Sequence, residues 1–206
     1  MKKNLFITLE GIEGAGKSTF IDFIEKFFID EGRDVKKTRE PGGTKIGEQV
    51  RDVLLKNENQ KLTSDSELLL MFAARAQHIS EVILPALSSG KVVLCDRFID
   101  ASYAYQGGGR GIEYSKINLL EKWVMPDLKP DLTLLFDLDV NIALERIKKR
   151  SDVDRFESED LYFFEKVRES YLERAESEPV RFQIIDSALP LKNVEEQVRN
   201  VLKEIL

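Results

Sequence analysis

The sequence predicts an α/β fold: a five-stranded parallel sheet with helices on both faces. Two observations predict it. Short apolar runs alternate with amphipathic segments along all 206 residues, and strands separated by helices form βαβ units. The runs are also continuous rather than alternating, as strands buried on both faces require.

Residues 5–9, Leu-Phe-Ile-Thr-Leu, form the first such strand. A glycine-rich turn follows, and then a helix. Phe20, Ile21, Phe23, Ile24, Phe27 and Phe28 lie on one stripe of it, and Gly32 is placed to end it. Residues 34–38 are a second strand, the Pro41-Gly42-Gly43 turn follows, and a helix covers 46–55. Ser64-Asp65-Ser66-Glu67 has the form of a capping box. The helix it opens is expected to reach Ser88, bent at Pro85 and ended by Gly90. Strands at 92–95, 132–136 and 181–185 complete the sheet, with helical patterns at 115–123, 141–149, 159–175 and 193–205. In the last helix Val194, Val198, Val201 and Ile205 mark one face. Gly107-Gly108-Gly109-Arg110 reads as a mobile surface loop. Neither a repeat nor a linker interrupts the chain, so one domain is expected over residues 1–206.

Composition excludes several function classes. The chain is 42% hydrophobic and 33% charged, as globular proteins are, with a net charge of -6. An acidic chain lacks the basic face that nucleic acid requires. The single cysteine, Cys95, sits in an apolar run and reads as a small buried hydrophobe, with no partner for a disulfide. Lys2 and Lys3 precede an apolar stretch too short for a signal peptide. No segment approaches the roughly 20 apolar residues that span a bilayer. A cytoplasmic protein without membrane partners is expected.

The strongest motif is Gly11-Ile12-Glu13-Gly14-Ala15-Gly16-Lys17-Ser18, followed by Thr19. It fits the P-loop pattern G-x-x-x-x-G-K-[ST], with a buried strand before it and an amphipathic helix after it. Its glycines let consecutive N–H groups curl around phosphate oxygens, and the helix adds its positive end. Lys17 can reach the β- and γ-phosphates of ATP, while the Ser18 hydroxyl can ligate Mg²⁺. Asp96 closes the strand at 92–95 and is the second candidate for holding that ion.

A P-loop alone does not separate switches, motors and kinases. The arginines do. Arg39, Arg51, Arg75 and Arg97 fall in or beside segments that meet the catalytic edge. A phosphate monoester brought against a triphosphate needs cations to offset the repulsion, and the guanidinium fork suits that task. The acceptor needs little activation, since a monoester is mostly a dianion at neutral pH. His78, the only histidine, lies in mid-helix and reads as structural. Arg146, Lys148, Lys149, Arg150 and Arg155 precede an acidic run, the pattern of a lid over about 148–158.

Four ordered segments resemble thymidylate kinases: the P-loop, Thr38-Arg39-Glu40-Pro41-Gly42-Gly43-Thr44, Asp96-Arg97-Phe98 leading to Ser102-Tyr103-Ala104-Tyr105-Gln106-Gly107, and Asp154-Arg155-Phe156. The resemblance covers nearly the whole chain. It implies a P-loop NTPase fold and transfer of phosphate from ATP to dTMP, on the route to dTTP. It also implies that Glu13 accepts from the sugar 3′-hydroxyl and that Arg39, Arg51 and Arg97 hold the acceptor phosphate, with Glu40 nearby. Arg75, Ser102 and Gln106 would meet the polar edge of thymine, and Tyr105 would pack on the deoxyribose. A homodimer is also implied.

Three departures stand out. Where the family places an aromatic four residues before Arg75, this chain has Met71, and Phe72 follows; either can cover the base. Ala101 stands where relatives often carry serine. Gly14 replaces an arginine found in some P-loops, which shifts the catalytic charge to the lid residues Arg150 and Arg155, beside Lys17 and Arg97. Another nucleoside or nucleotide kinase, or a nucleotide-gated protein without transfer, remains an alternative from the residues alone.

Overall fold

A computed structural model describes residues 4–56, 62–148 and 154–206. Five parallel strands form one sheet in the order β2-β3-β1-β4-β5. They are β1 (Leu5–Glu10), β2 (Val35–Arg39), β3 (Val92–Asp96), β4 (Leu132–Asp137) and β5 (Phe182–Asp186). All five predicted strands are present within a residue or so at each end. The register sets Leu9 beside Asp96 and Asp96 beside Arg39, so the ends of the three adjoining strands share one edge.

Side-chain alternation divides the core into two layers. Leu5, Ile7 and Leu9 of β1, with Val92 and Leu94 of β3, face one cluster; Phe6, Val93 and Cys95 face the other. The first layer is closed by α1 (Lys17–Asp30), α7 (Val140–Ile147), α8 (Leu161–Ser177) and α9 (Leu191–Ile205). Phe20, Ile21, Ile24, Phe27 and Phe28 supply the α1 stripe, as its spacing predicts, and Gly32 takes the left-handed conformation beyond the helix end. The second layer is closed by α3 (Ser64–His78) and α6 (Tyr114–Val124), through Leu68, Phe72 and Ile117. The helix α2 (Lys45–Leu55) is capped by Thr44, whose hydroxyl accepts from the Gly47 amide.

Three sequence expectations are corrected. The α3 cap is Thr63, accepting from the Ser66 amide, and not Ser64. Starting the helix one residue earlier turns Glu67 by about 100°, away from the cap and into the interior, where it is 1% exposed. Pro85 does not bend the long helix by itself. A wide π-helical turn, Ile79–Ile83, precedes α4 (Leu84–Ser88) and accommodates the missing N–H. Finally, Gly107–Gly109 is no surface loop. A short helix α5 (Ile99–Ser102) runs into a π-helical segment, Tyr103–Gly109, laid against α8. A Cβ on Gly108 would stand 2.7 Å from both the Lys166 carbonyl oxygen and Ser170 Cβ. Glycine is there because the neighbouring helix is too near for anything larger.

The helix predicted over 141–149 ends at Ile147, and Lys149 lies outside the described residues. Among the described residues no helix is long and apolar enough to cross a membrane.

Candidate active site

The turn between β1 and α1 forms the phosphate cradle. Gly11, Gly14 and Gly16 take positive φ angles of 131°, 77° and 93°, conformations open to glycine at little cost. At Gly14 a Cβ would also lie 2.7 Å from the Ala143 carbonyl oxygen of α7. No side chain caps α1, which leaves its first amides to meet an anion. The buried Lys17 Nζ donates to the carbonyl oxygens of Gly11 and Ile12, both at 2.8 Å. Burial, followed by the nearby Arg97 charge, lowers its pKa to about 8. Ser18 and Thr19 line the cleft from the first turn of α1.

Arg97 crosses to the same turn. Its guanidinium donates to the Gly11 carbonyl oxygen at 2.6 Å and to Glu13 Oε1 at 2.8 Å. Its backbone is held at φ 65°, a costly conformation for a non-glycine residue, by the bond from its amide to the Leu9 carbonyl. Glu13 Oε2 accepts from the Tyr105 hydroxyl at 2.5 Å, and Arg97 lies 5.0 Å above the Tyr105 ring. Glu13, Arg97 and Tyr105 are thus one unit. Asp96 Oδ1 is buried and meets no hydrogen-bond donor among the described residues. An orphaned carboxylate oxygen beside a P-loop serine fits a divalent cation.

A second group forms the far wall. Arg75, 2% exposed, donates to Glu40 Oε2 at 2.7 Å, Ser102 Oγ at 3.0 Å and the Phe98 carbonyl at 2.9 Å. Glu40 is held in turn by His78, whose Nδ1 lies 2.9 Å away and whose Nε2 pairs with Thr38. His78 is therefore structural, as its position predicts. Between the two base-covering candidates, Met71 lines the cleft, whereas Phe72 is buried in the second core layer under the Arg75 guanidinium. Gln106 lines the cleft too, with its Nε2 donated to Glu67.

The remaining arginines divide. Arg51 faces the cleft and donates to the Pro41 carbonyl at 2.9 Å. Burial, and then the Arg39 charge, lowers its pKa, the mark of cations crowded together. Arg39 itself is 53% exposed and pairs with Glu48 at 2.9 Å, outside the cleft lining. Arg155 departs from its expected place over the triphosphate. It donates to the Leu54 carbonyl at 2.8 Å and stands 2.7 Å from Glu67 Oε2, because that buried carboxylate needs its charge. Asp154, Phe156 and Glu157 of the same segment do line the cleft. Arg150 lies outside the described residues.

Sequence reasoning missed Glu10, Glu67 and Arg110. Glu10 is buried at the end of β1 and accepts from the Phe98 amide and the Tyr171 hydroxyl, both at 2.7 Å. Its position directly before the P-loop was a usable signal. Glu67 and Arg110 meet only through tertiary packing, and no local pattern marks them.

Thus one cleft runs from the phosphate cradle to a polar wall, with Arg51 and Arg97 between them and Asp96 at the seam. With the parallel sheet order, that defines a P-loop kinase of small phosphorylated acceptors. Residues 9–198 match the family model described as thymidylate kinase. The chain is 54% identical over 202 residues to the thymidylate kinase of Pseudomonas syringae pv. syringae (strain B728a), covering 98% of this chain and 96% of the relative. It is 53% identical over 202 residues to that of Pseudomonas putida (strain W619), with 98% of each chain covered. The crystal structure of thymidylate kinase from Ehrlichia chaffeensis superposes with a TM-score of 0.76 at 35% identity, over 97% of this chain and 98% of that one. The chain belongs to the thymidylate kinase family.

Proposed function

We propose that this chain phosphorylates dTMP to dTDP with ATP and Mg²⁺, dTMP lying between Met71, Arg75 and Gln106 with its phosphate toward Arg97. The observation that supports this best is the shared cleft itself: cradle and acceptor wall open onto one space, with two arginines between them. Lys17 would follow the β- and γ-phosphates once they displace its present carbonyl partners. Arg97 and Arg51 would offset the charge of the acceptor phosphate, joined by Arg39 only if it leaves Glu48, and Arg150 would add a cation from the lid. Glu13 would take the sugar 3′-hydroxyl and Tyr105 would bound the deoxyribose. Mg²⁺, held by Asp96 and Ser18, would neutralise charge developing on the phosphoryl oxygens.

A panel of acceptors with ADP release as readout tests the assignment. Turnover should be highest with dTMP. If dCMP or thymidine were phosphorylated as fast, or ADP appeared at the same rate with no acceptor, the reading would fail. A homodimer is also proposed. The helices α3 and α6 lie in contact, and they leave Leu69, Leu119 and Trp123 exposed, the last at 78%. A second copy would cover them, so sedimentation should give about twice the 23.6 kDa chain mass.

A further inference from the structure

Glu67 lies in the interior near the start of α3, and three side chains from distant segments converge on it. Gln106 Nε2 donates to its Oε1 at 2.8 Å. Arg110 Nε lies 3.4 and 3.3 Å from its two oxygens, and Arg155 Nη2 stands 2.7 Å from Oε2. Arg110 reaches on to Glu159 at 2.7 Å. Each cation here has an anion, so the cluster ties these segments together by charge. The amide among them has a further consequence.

A glutamine side chain presents a donor at one end and an acceptor at the other, and by itself it can present either. Gln106 is 1% exposed and lines the acceptor cleft beside Arg75 and Ser102. Flanked by two guanidinium groups, the Glu67 carboxylate offers only acceptors. Gln106 must therefore give it the NH₂ end, which leaves the carbonyl Oε1 for the cleft. A carbonyl oxygen there matches the N3–H of thymine or uracil. Cytosine has a lone pair at N3, and two acceptors would then face each other with no proton between them. We propose that Glu67 is a positioning residue that fixes the orientation of the Gln106 amide, so that the cleft admits pyrimidines carrying N3–H and rejects cytosine. This rests on the acceptor site assigned above. It adds to that assignment a residue that never touches the base.

The test compares dUMP with dCMP. Both lack the thymine methyl, so they differ only along the N3 and C4 edge. In Glu67→Gln the new amide can donate or accept, and Gln106 can settle either way. The dUMP:dCMP ratio of kcat/KM should then fall at least tenfold from the wild-type value. The change should come through KM, with kcat for dTMP moving less. In a Gln106→Met background the same Glu67→Gln substitution should leave the ratio unmoved, because its route of action is gone. Should Glu67→Gln prove too unstable, Glu67→Asp keeps the charge for both arginines but stops short of Gln106, and the same fall is expected. A folded, active variant of either kind with the wild-type ratio overturns the proposal. So does a ratio shift that survives in the Gln106→Met background. If the wild-type enzyme does not discriminate between dUMP and dCMP, or is inert toward dTMP, the acceptor assignment is what fails.

Discussion

At the scale of single residues, Lys17 carries a measurable consequence of its surroundings. Buried beside Arg97, it has a pKa of about 8 instead of 10.5. A bound triphosphate stabilises its charged form, so nucleotide binding above pH 8 must take up a proton from solvent. The sign follows: affinity should be flat below about pH 7.5 and weaken above 8, by up to roughly tenfold per pH unit. Titration of ADP binding between pH 6.5 and 9.5 measures this. A Lys17→Arg variant stays charged throughout and should lose the dependence; a flat wild-type profile to pH 9.5 would contradict the assignment. Lys17→Ala should lower kcat by about 10²-fold or more, the scale of removing one preorganised donor.

At the scale of elements, legibility depended on whether the cause was local. The P-loop was readable because strand, glycines, lysine and helix are consecutive. The strands β1, β3 and β4 were readable because each is an apolar run bounded by turns, whereas β2, with two lysines, was marked mainly by the helix before it and the Pro41-Gly42-Gly43 turn after it. The segment Tyr103–Gly109 was not, since three adjacent glycines signal a loop until α8 is known to lie over them. Its packing gives a prediction. Gly108→Ala places a methyl against the Lys166 carbonyl and Ser170, overpacking of the kind that costs about 1–3 kcal/mol. The melting temperature should drop by roughly 2–4 °C per kcal/mol. Tyr105 and Gln106 ride on the same segment, so the KM for dTMP should rise while the KM for ATP stays near wild type. Separate KM measurements on the folded variant decide it, and equal effects on both substrates would show that the segment does not belong to the acceptor side alone.

At the scale of the whole molecule, the part of the site hidden from the sequence is where distant segments meet, as at Glu67; Glu10 has a place the sequence marks but partners that only the fold supplies. The Glu10 carboxylate joins β1 to the turn after β3 through the Phe98 amide, and to α8 through the Tyr171 hydroxyl. Burial, followed by the negative charge of Asp100, raises its pKa from 4.5 to about 7. Between those values the folded chain keeps a proton that the unfolded chain releases. The resulting stability is therefore complete below about pH 4.5 and lost as pH rises through 7. A shift of this size is worth roughly 3 kcal/mol. Glu10→Gln is neutral at every pH, yet its carbonyl can still accept from Phe98 and its amide can turn toward the Tyr171 oxygen. Compared with wild type, the variant should gain melting temperature between pH 5 and about 7, by roughly 5–10 °C, and level off above that. Thermal melts of both proteins along one pH series measure the difference. A gap that stays constant from pH 5 to 8 would mean that Glu10 carries the same charge in both states, and that the edge of the sheet is held together without the proton.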